Sequence, residues 1–216
     1  MKKIIVLLTA MLMFTACSKK SVENDIPQDT IEAVTTAITN AEDPDFRNVK
    51  WGMSKEGVIA NEGAPNSENE FGETGSNGYR LVYKNVSVTD YTAELYYYFE
   101  NDALTGADYK FDCSGKTDLQ INSMYYTLYK KYIEKYGAPE SASFEMLNPN
   151  YKDLTEPPLV SDDSFSFENI ATYKSNWSDQ NGANISMKLV YSDFQEEGID
   201  KHISFEITYE TVSSDI

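Results

Sequence analysis

One long amphipathic segment, set between two blocks of aromatic-rich alternating sequence, constrains the fold of this chain more than any other feature. From about Asp118 to Tyr136, the residues Ile121, Met124, Tyr125, Leu128, Tyr129, Tyr132 and Ile133 recur at three- and four-residue spacing. That spacing places them on one wide apolar stripe of a helix. Gly137-Ala138-Pro139 follows, a glycine that ends a helix with a proline that keeps it ended. Before the helix, residues 79–88, 92–100 and 104–111 read as strands, with Asn101-Asp102 as a two-residue turn. After it, strands are predicted at 170–177, 184–191 and 202–210, with a turn at Gln180-Asn181-Gly182 and an acidic loop around Glu196-Glu197-Gly198. A helix with one apolar stripe must cover something, and half-buried strands provide the surface. The predicted class is α+β, an antiparallel sheet with helices packed on one face.

A second, shorter helix is predicted upstream. Ser54 suits its N-cap, although Gly57 stands where a full capping box has Glu or Gln, and the helix stops at Gly63 with Pro65 beyond. Ile59-Ala60-Asn61-Glu62-Gly63-Ala64-Pro65-Asn66-Ser67 aligns with Ile133-Glu134-Lys135-Tyr136-Gly137-Ala138-Pro139-Glu140-Ser141. Both segments end a helix and lead through a loop into three strands, so the order suggests two tandem helix-plus-three-strand repeats. The expected units are 46–113 and 114–216. Residues 66–78 are expected as an exposed loop, and 145–168, with Pro149, Pro157 and Pro158, as an insertion in the second unit.

The run Trp51-Gly52-Met53-Ser54-Lys55-Glu56, then Val58, then Gly63-Ala64-Pro65 resembles the opening of the beta-lactamase-inhibitor-protein-like and outer-membrane-assembly-lipoprotein (SmpA/OmlA) group. Tyr132-Ile133-Glu134-Lys135-Tyr136-Gly137-Ala138-Pro139, with the later Trp177, resembles extracytoplasmic lipoproteins of unknown function that carry such modules. The resemblance spans about residues 46–210. It implies helices laid on an antiparallel sheet and, through the lipoprotein members, a structural or assembly role in a cell envelope. The chain departs from the inhibitor proteins in having no cysteine pair in either half.

The N-terminus carries its own signal. Lys2 and Lys3 precede an uncharged stretch, residues 4–16. About 13 residues suit the apolar core of an export signal and fall short of the roughly 20 that cross a bilayer as a helix. Phe14-Thr15-Ala16-Cys17 resembles a lipobox, with Phe14 where leucine is usual. Residues 1–16 are therefore expected to be a cleaved signal, with Cys17 lipidated and held in membrane lipid. Residues 17–45 read as an acidic tether in which Ile31, Val34 and Ile38 form one short apolar stripe. The expected location is the bacterial cell envelope, anchored and extracytoplasmic.

Charge narrows the partners. The chain has 18 basic and 35 acidic residues, and loss of Lys2 and Lys3 leaves 16 against 35, a net −19. Such a chain repels nucleic acid. With Cys17 consumed, Cys113 has no disulfide partner, and its neighbours Lys110 and Asp112 do not make it a nucleophile. His202 is the only histidine and sits in an alternating strand; no Gly-x-Ser-x-Gly elbow accompanies it. Asp179-Gln180-Asn181-Gly182 has part of a calcium-loop pattern without its later ligands, and Gly72-Glu73-Thr74-Gly75-Ser76-Asn77-Gly78 lacks the lysine of a phosphate loop. No metal, cofactor or catalytic residue is implied.

What remains is aromatic. Sixteen tyrosines occur, and nine aromatics crowd 79–111. Alternation places Leu95, Tyr97 and Phe99 toward the core, and Tyr96 and Tyr98 outward beside Glu94 and Glu100. Tyr96, Tyr98, Tyr79 and Tyr83 are the candidate ligand-binding residues, because tyrosine offers large contact area with a polar tip. The expected function is a lipid-anchored envelope protein holding a protein or peptide ligand on a tyrosine-rich sheet face. The alternatives are an envelope structural or assembly lipoprotein and, more remotely, a carboxylate-dependent hydrolase.

Overall fold

The computed structural model describes residues 46–71, 78–151, 153–161, 163–194 and 199–211. The predicted signal, Cys17, the tether with Ile31, Val34 and Ile38, the 72–77 segment and the acidic 196–198 loop lie outside the described residues.

The helix ends behave as their sequences dictate. Helix α1 (Lys55–Glu62) starts where the Ser54 side chain accepts the Gly57 N–H at 3.2 Å. Helix α2 (Asp118–Tyr136) opens with a capping box: Thr117 Oγ1 accepts the Gln120 N–H at 3.2 Å, and the Gln120 side-chain carbonyl accepts the Thr117 N–H at 2.9 Å. Gly63 and Gly137 close the two helices at φ of 89° and 84°, a region that favours glycine, and donate to the Ile59 and Ile133 carbonyls at 2.9 Å each. Carbonyls at a helix end lack intrahelical partners. An aromatic donor serves each: Tyr83 Oη to the Gly63 carbonyl at 2.9 Å, and Trp177 Nε1 to the Gly137 carbonyl at 3.0 Å. The aligned Gly-Ala-Pro segments are thus two helix stops of one build.

Eight strands follow the helices: β1 (Ser67–Phe71), β2 (Gly78–Val88), β3 (Tyr91–Glu100), β4 (Ala103–Phe111), β5 (Ser141–Met146), β6 (Ile170–Ser178), β7 (Ala183–Phe194) and β8 (Ile199–Thr211). They form one antiparallel sheet in the order β1-β2-β3-β4-β8-β7-β6-β5. This overturns the expected class of helices packed on one face in two helix-plus-three-strand repeats. Strand dominates the described residues, with two helices of 8 and 19 residues against eight strands. Each helix is followed by four strands, because β1 lies in 66–78, which reads as loop, and β5, which only overlaps the start of the 145–168 insertion, is not signalled as a strand. The strands do not close two separate modules: β4 pairs with β8, so 46–113 and 114–216 share a single sheet. Helix α1 is no packing layer either, since Val58 is its one buried residue.

The core lies on the face carrying Leu95, Tyr97 and Phe99 of β3, all fully buried. Register extends that face through Ala107 and Tyr109 of β4, Ile207 and Tyr209 of β8, Met187 of β7 and Tyr173 of β6. Helix α2 covers its far half: Tyr125 Oη meets Ser175 Oγ and the Met187 carbonyl, each at 3.2 Å, and Tyr132 Oη pairs with Tyr209 Oη. The 147–169 connection adds Phe165 and Phe167. Buried Asn122 holds it there, donating to the Pro158 carbonyl at 2.9 Å and accepting from Tyr173 Oη at 3.1 Å. At the entry to this region Phe46 sits 4.5 Å from Tyr209 and 5.8 Å from Tyr97, ring to ring.

Candidate functional site: the open sheet face

The opposite face carries the other half of every strand. Three rows cross it. The first runs Val82, Tyr96, Asp108, Thr208, Ser186, Asn176 and Ser141. Beside it runs Arg80, Tyr98, Gly106, Glu210 and Asn184, and on the other flank Glu94, Lys110, Glu206, Lys188 and Lys174. Apart from buried Val82 and Gly106, these side chains are half-buried or exposed.

Tyr96 and Tyr98 are the large aromatic surface here. Two residues apart on one strand, their rings stack at 6.5 Å with an interplanar angle of 14°. Each hydroxyl is fixed by a carboxylate: Tyr96 donates to Glu94 at 2.6 Å and Tyr98 to Asp108 at 2.8 Å. Donation to Glu94, with burial second, holds the Tyr96 hydroxyl above its ordinary pKa; burial and then Asp108 do the same for Tyr98. Both phenols therefore stay neutral donors. Arg80 and Lys110 lie over the Tyr96 ring, 5.8 Å and 4.8 Å from its centroid. The pair is thus held in a defined rotamer arrangement before any ligand arrives.

The other two candidates do not join them. Tyr79 pairs in register with Phe99, and Tyr83 with Leu95, so both point to the core side. Tyr83 is buried with its hydroxyl on Gly63, and burial pushes its pKa up to about 12. Tyr79 lies at the margin under the Lys55 ammonium, 5.4 Å from its ring. The physical reason is parity: from Gly78 to Tyr83 the antiparallel register pairs the odd residues of β2 with the odd residues of β3 on one face.

Two hollows mark the open face. One, about 510 Å³, lies between β3, β4 and β8 against Tyr98, and the other, about 470 Å³, crosses β6, β7 and β8. Thr208 and Glu210 line both, so the two hollows adjoin along β8. A larger hollow of about 720 Å³ lies toward the other strand ends, around Lys84, Glu94, Lys110 and Asp112. There Lys84 and Glu94 already neutralise each other at 3.6 Å.

The remaining chemistry-bearing residues have structural places. Cys113 is 5 % exposed, and burial raises its thiol to about 11, away from the reactive thiolate. Asp179 Oδ1 accepts the N–H groups of Asn181 and Ala183 at 2.9 Å each, which makes 179–182 a hairpin turn. His202 is exposed on β8. Among the described residues no group of three His, Cys, Asp or Glu side chains is placed to hold a metal ion.

Arg80, Gly106, Asp108, Thr208 and Glu210 were not singled out from sequence, because they join Tyr96 and Tyr98 only through register with strands up to about a hundred residues away. No protein-family model, no curated protein and no solved structure matches this chain.

Proposed function

We propose that this chain is a lipid-anchored cell-envelope binding protein that holds a protein or peptide ligand on the open sheet face around Tyr96 and Tyr98. One observation carries the reading: two large aromatics stack on the face away from the core, with both hydroxyls tied to carboxylates. Aromatic side chains already fixed in one rotamer lose little entropy when a partner docks, which is how tyrosine-rich surfaces generate affinity. The anchor is the part of the proposal that rests on sequence, through residues 1–16 and Cys17. No described helix is long and apolar enough to cross a membrane. The envelope assembly role that the sequence resemblance implies would use the same anchor with a membrane complex as partner.

The test is site-specific capture. A photo-crosslinker in place of Thr208, at the centre of the face, should trap a partner in native envelopes, and Tyr96→Ala with Tyr98→Ala should abolish that adduct. Because both rings are half-buried and hydrogen-bonded, the double truncation also costs stability, about 1–3 kcal/mol. Ser186→Arg therefore serves as a second block that leaves both tyrosines in place. Unchanged crosslinking in both variants, each shown to be folded by circular dichroism, refutes the face. Cys17→Ala should leave protein without a diacylglycerol label; labelled lipid on that variant refutes the anchor.

A further inference from the structure

We propose that the groove against Tyr98 seats a basic side chain of the held partner, an arginine or lysine, an inference that rests on reading the open face as the binding surface. The groove of about 510 Å³ has Tyr98, Gly106 and Thr208 among its lining residues, with Gly106 between Tyr98 and Glu210 across the strands. Its lining includes four carboxylates, Glu100, Asp108, Glu206 and Glu210, and no basic residue. The register shows how unequally they are balanced. Glu206 stands between Lys110 and Lys188 on the flanking strands, whereas Glu210 faces Gly106 on one side and Asn184 on the other. Asp108 lies between Tyr96 and Thr208, its carboxylate turned by the Tyr98 hydroxyl at 2.8 Å. Negative potential is therefore concentrated on the β4 and β8 side of the Tyr98 ring, with the Arg80 guanidinium on its β2 side, in a chain of net charge −17.

The shape selects among cations. These carboxylates do not converge as a metal-ligand group. They are spread along a groove, which suits an extended organic cation. A guanidinium can lie along the Tyr98 ring while its separate N–H groups reach carboxylates on two strands, and an ammonium does the same less specifically. The same face already uses this chemistry within the chain, where Arg80 and Lys110 lie over Tyr96. The adjoining hollow sets Lys174 and Lys188 against Glu140 and Glu210, so the face turns from acidic to charge-balanced across Thr208 and Glu210. A basic side chain thus has one preferred hollow of the two.

The probe is an acetylated, amidated Ser/Thr heptapeptide with a central arginine, alongside its citrulline isostere and a glutamate version. Each is titrated into the isotopically labelled full chain in detergent and followed by amide resonances. The arginine peptide should shift Gly106 and Thr208, bind at least about 10-fold more tightly than the citrulline peptide, and weaken as salt is raised. Glu100→Gln with Glu210→Gln, both exposed, should lower that affinity by about 10-fold while leaving the thermal midpoint unchanged. Equal binding of arginine and citrulline peptides, shifts scattered over the acidic surface, or a neutral oligosaccharide that moves Gly106 and Thr208 when the arginine peptide does not, each overturns the proposal. The two readings fail separately. Loss of the Thr208 adduct in Tyr96→Ala/Tyr98→Ala with no preference for arginine removes only the charge inference. Arginine-selective shifts at Gly106 with an undiminished adduct remove the partner-binding reading.

Discussion

Glu62→Ala probes how the segment leading into the fold is fastened. Glu62 ends a short surface helix, yet its side chain is 6 % exposed. It accepts from Arg47 Nε at 3.3 Å to each oxygen, from the Asn48 N–H at 3.4 Å and from Tyr97 Oη at 3.0 Å. Tyr97 is fully buried, so truncation leaves its hydroxyl without that acceptor, a cost of about 1–3 kcal/mol. The Arg47 side chain is 30 % exposed and regains water, so the ion pair adds less than about 1 kcal/mol. The expected loss is about 2–3 kcal/mol. Read by urea unfolding, it should move the midpoint by about 1 M or more with an unchanged slope. Glu62→Gln keeps an oxygen for Tyr97 and should lose only about 1 kcal/mol. In a double-mutant cycle Glu62→Ala and Tyr97→Phe should couple by at least about 0.5 kcal/mol. A Glu62→Ala protein within about 0.5 kcal/mol of the parent would refute the reasoning, as would a glutamine variant as damaged as the alanine one.

Trp177→Ala should be among the most destabilising single changes, by about 3–5 kcal/mol, because it empties a site 2 % exposed and frees the Gly137 carbonyl at the end of α2; calorimetry checks this, and a loss under about 1 kcal/mol would contradict it. Stability should also fall in alkali. Burial raises Cys113 from 9.0 to about 11 and Tyr83 from 10.0 to about 12, so the native state keeps protons that the unfolded chain releases. Their contribution is complete below pH 9 and is lost as pH rises through 11 and then 12. Urea midpoints across this range, with tyrosinate absorbance, should show cooperative loss, and a stability that stays flat from pH 9 to 12 would contradict the assignment.

Local signals carried far. The stripe from Ile121 to Ile133, Thr117 ahead of it and Gly137-Ala138-Pro139 behind it define α2 without reference to the rest of the chain, since capping and helical period are decided within a turn or two. Asn101 and Asp102, at φ of 50° and 62°, make the predicted β3–β4 turn because both tolerate left-handed backbone. The alternation of β3 likewise placed Leu95, Tyr97 and Phe99 inside. The strands β1 and β5 were not legible: Ser67-Glu68-Asn69-Glu70 is polar enough to read as loop, and its strand character comes from pairing with β2. The sheet's continuity was equally hidden, since the β4–β8 pairing joins residues about a hundred positions apart and no local pattern announces it.

The candidate site divides along the same line. Sequence by itself determined that Tyr96 and Tyr98 share a face opposite Tyr97, because the aromatic-rich run reads as a strand and successive side chains of extended backbone point to opposite faces. Which residues stand beside them was decided by tertiary structure. The turn pairs Glu100 with Ala103, and an unbroken register from there would set Tyr96 opposite Ala107. A bulge between Tyr98 and Phe99 shifts the pairing by one, setting Tyr96 opposite Asp108 and Tyr98 opposite Gly106. One extra residue exchanges every later β4 side chain between the faces. It sends Ala107, Tyr109 and Phe111 to the core behind Leu104, and Asp108 and Lys110 to the open side. The apolar spacing of Leu104, Ala107, Tyr109 and Phe111 hints at that shift in sequence. Only the packed core, which rewards burying those three and not their neighbours, makes it the lower-energy choice.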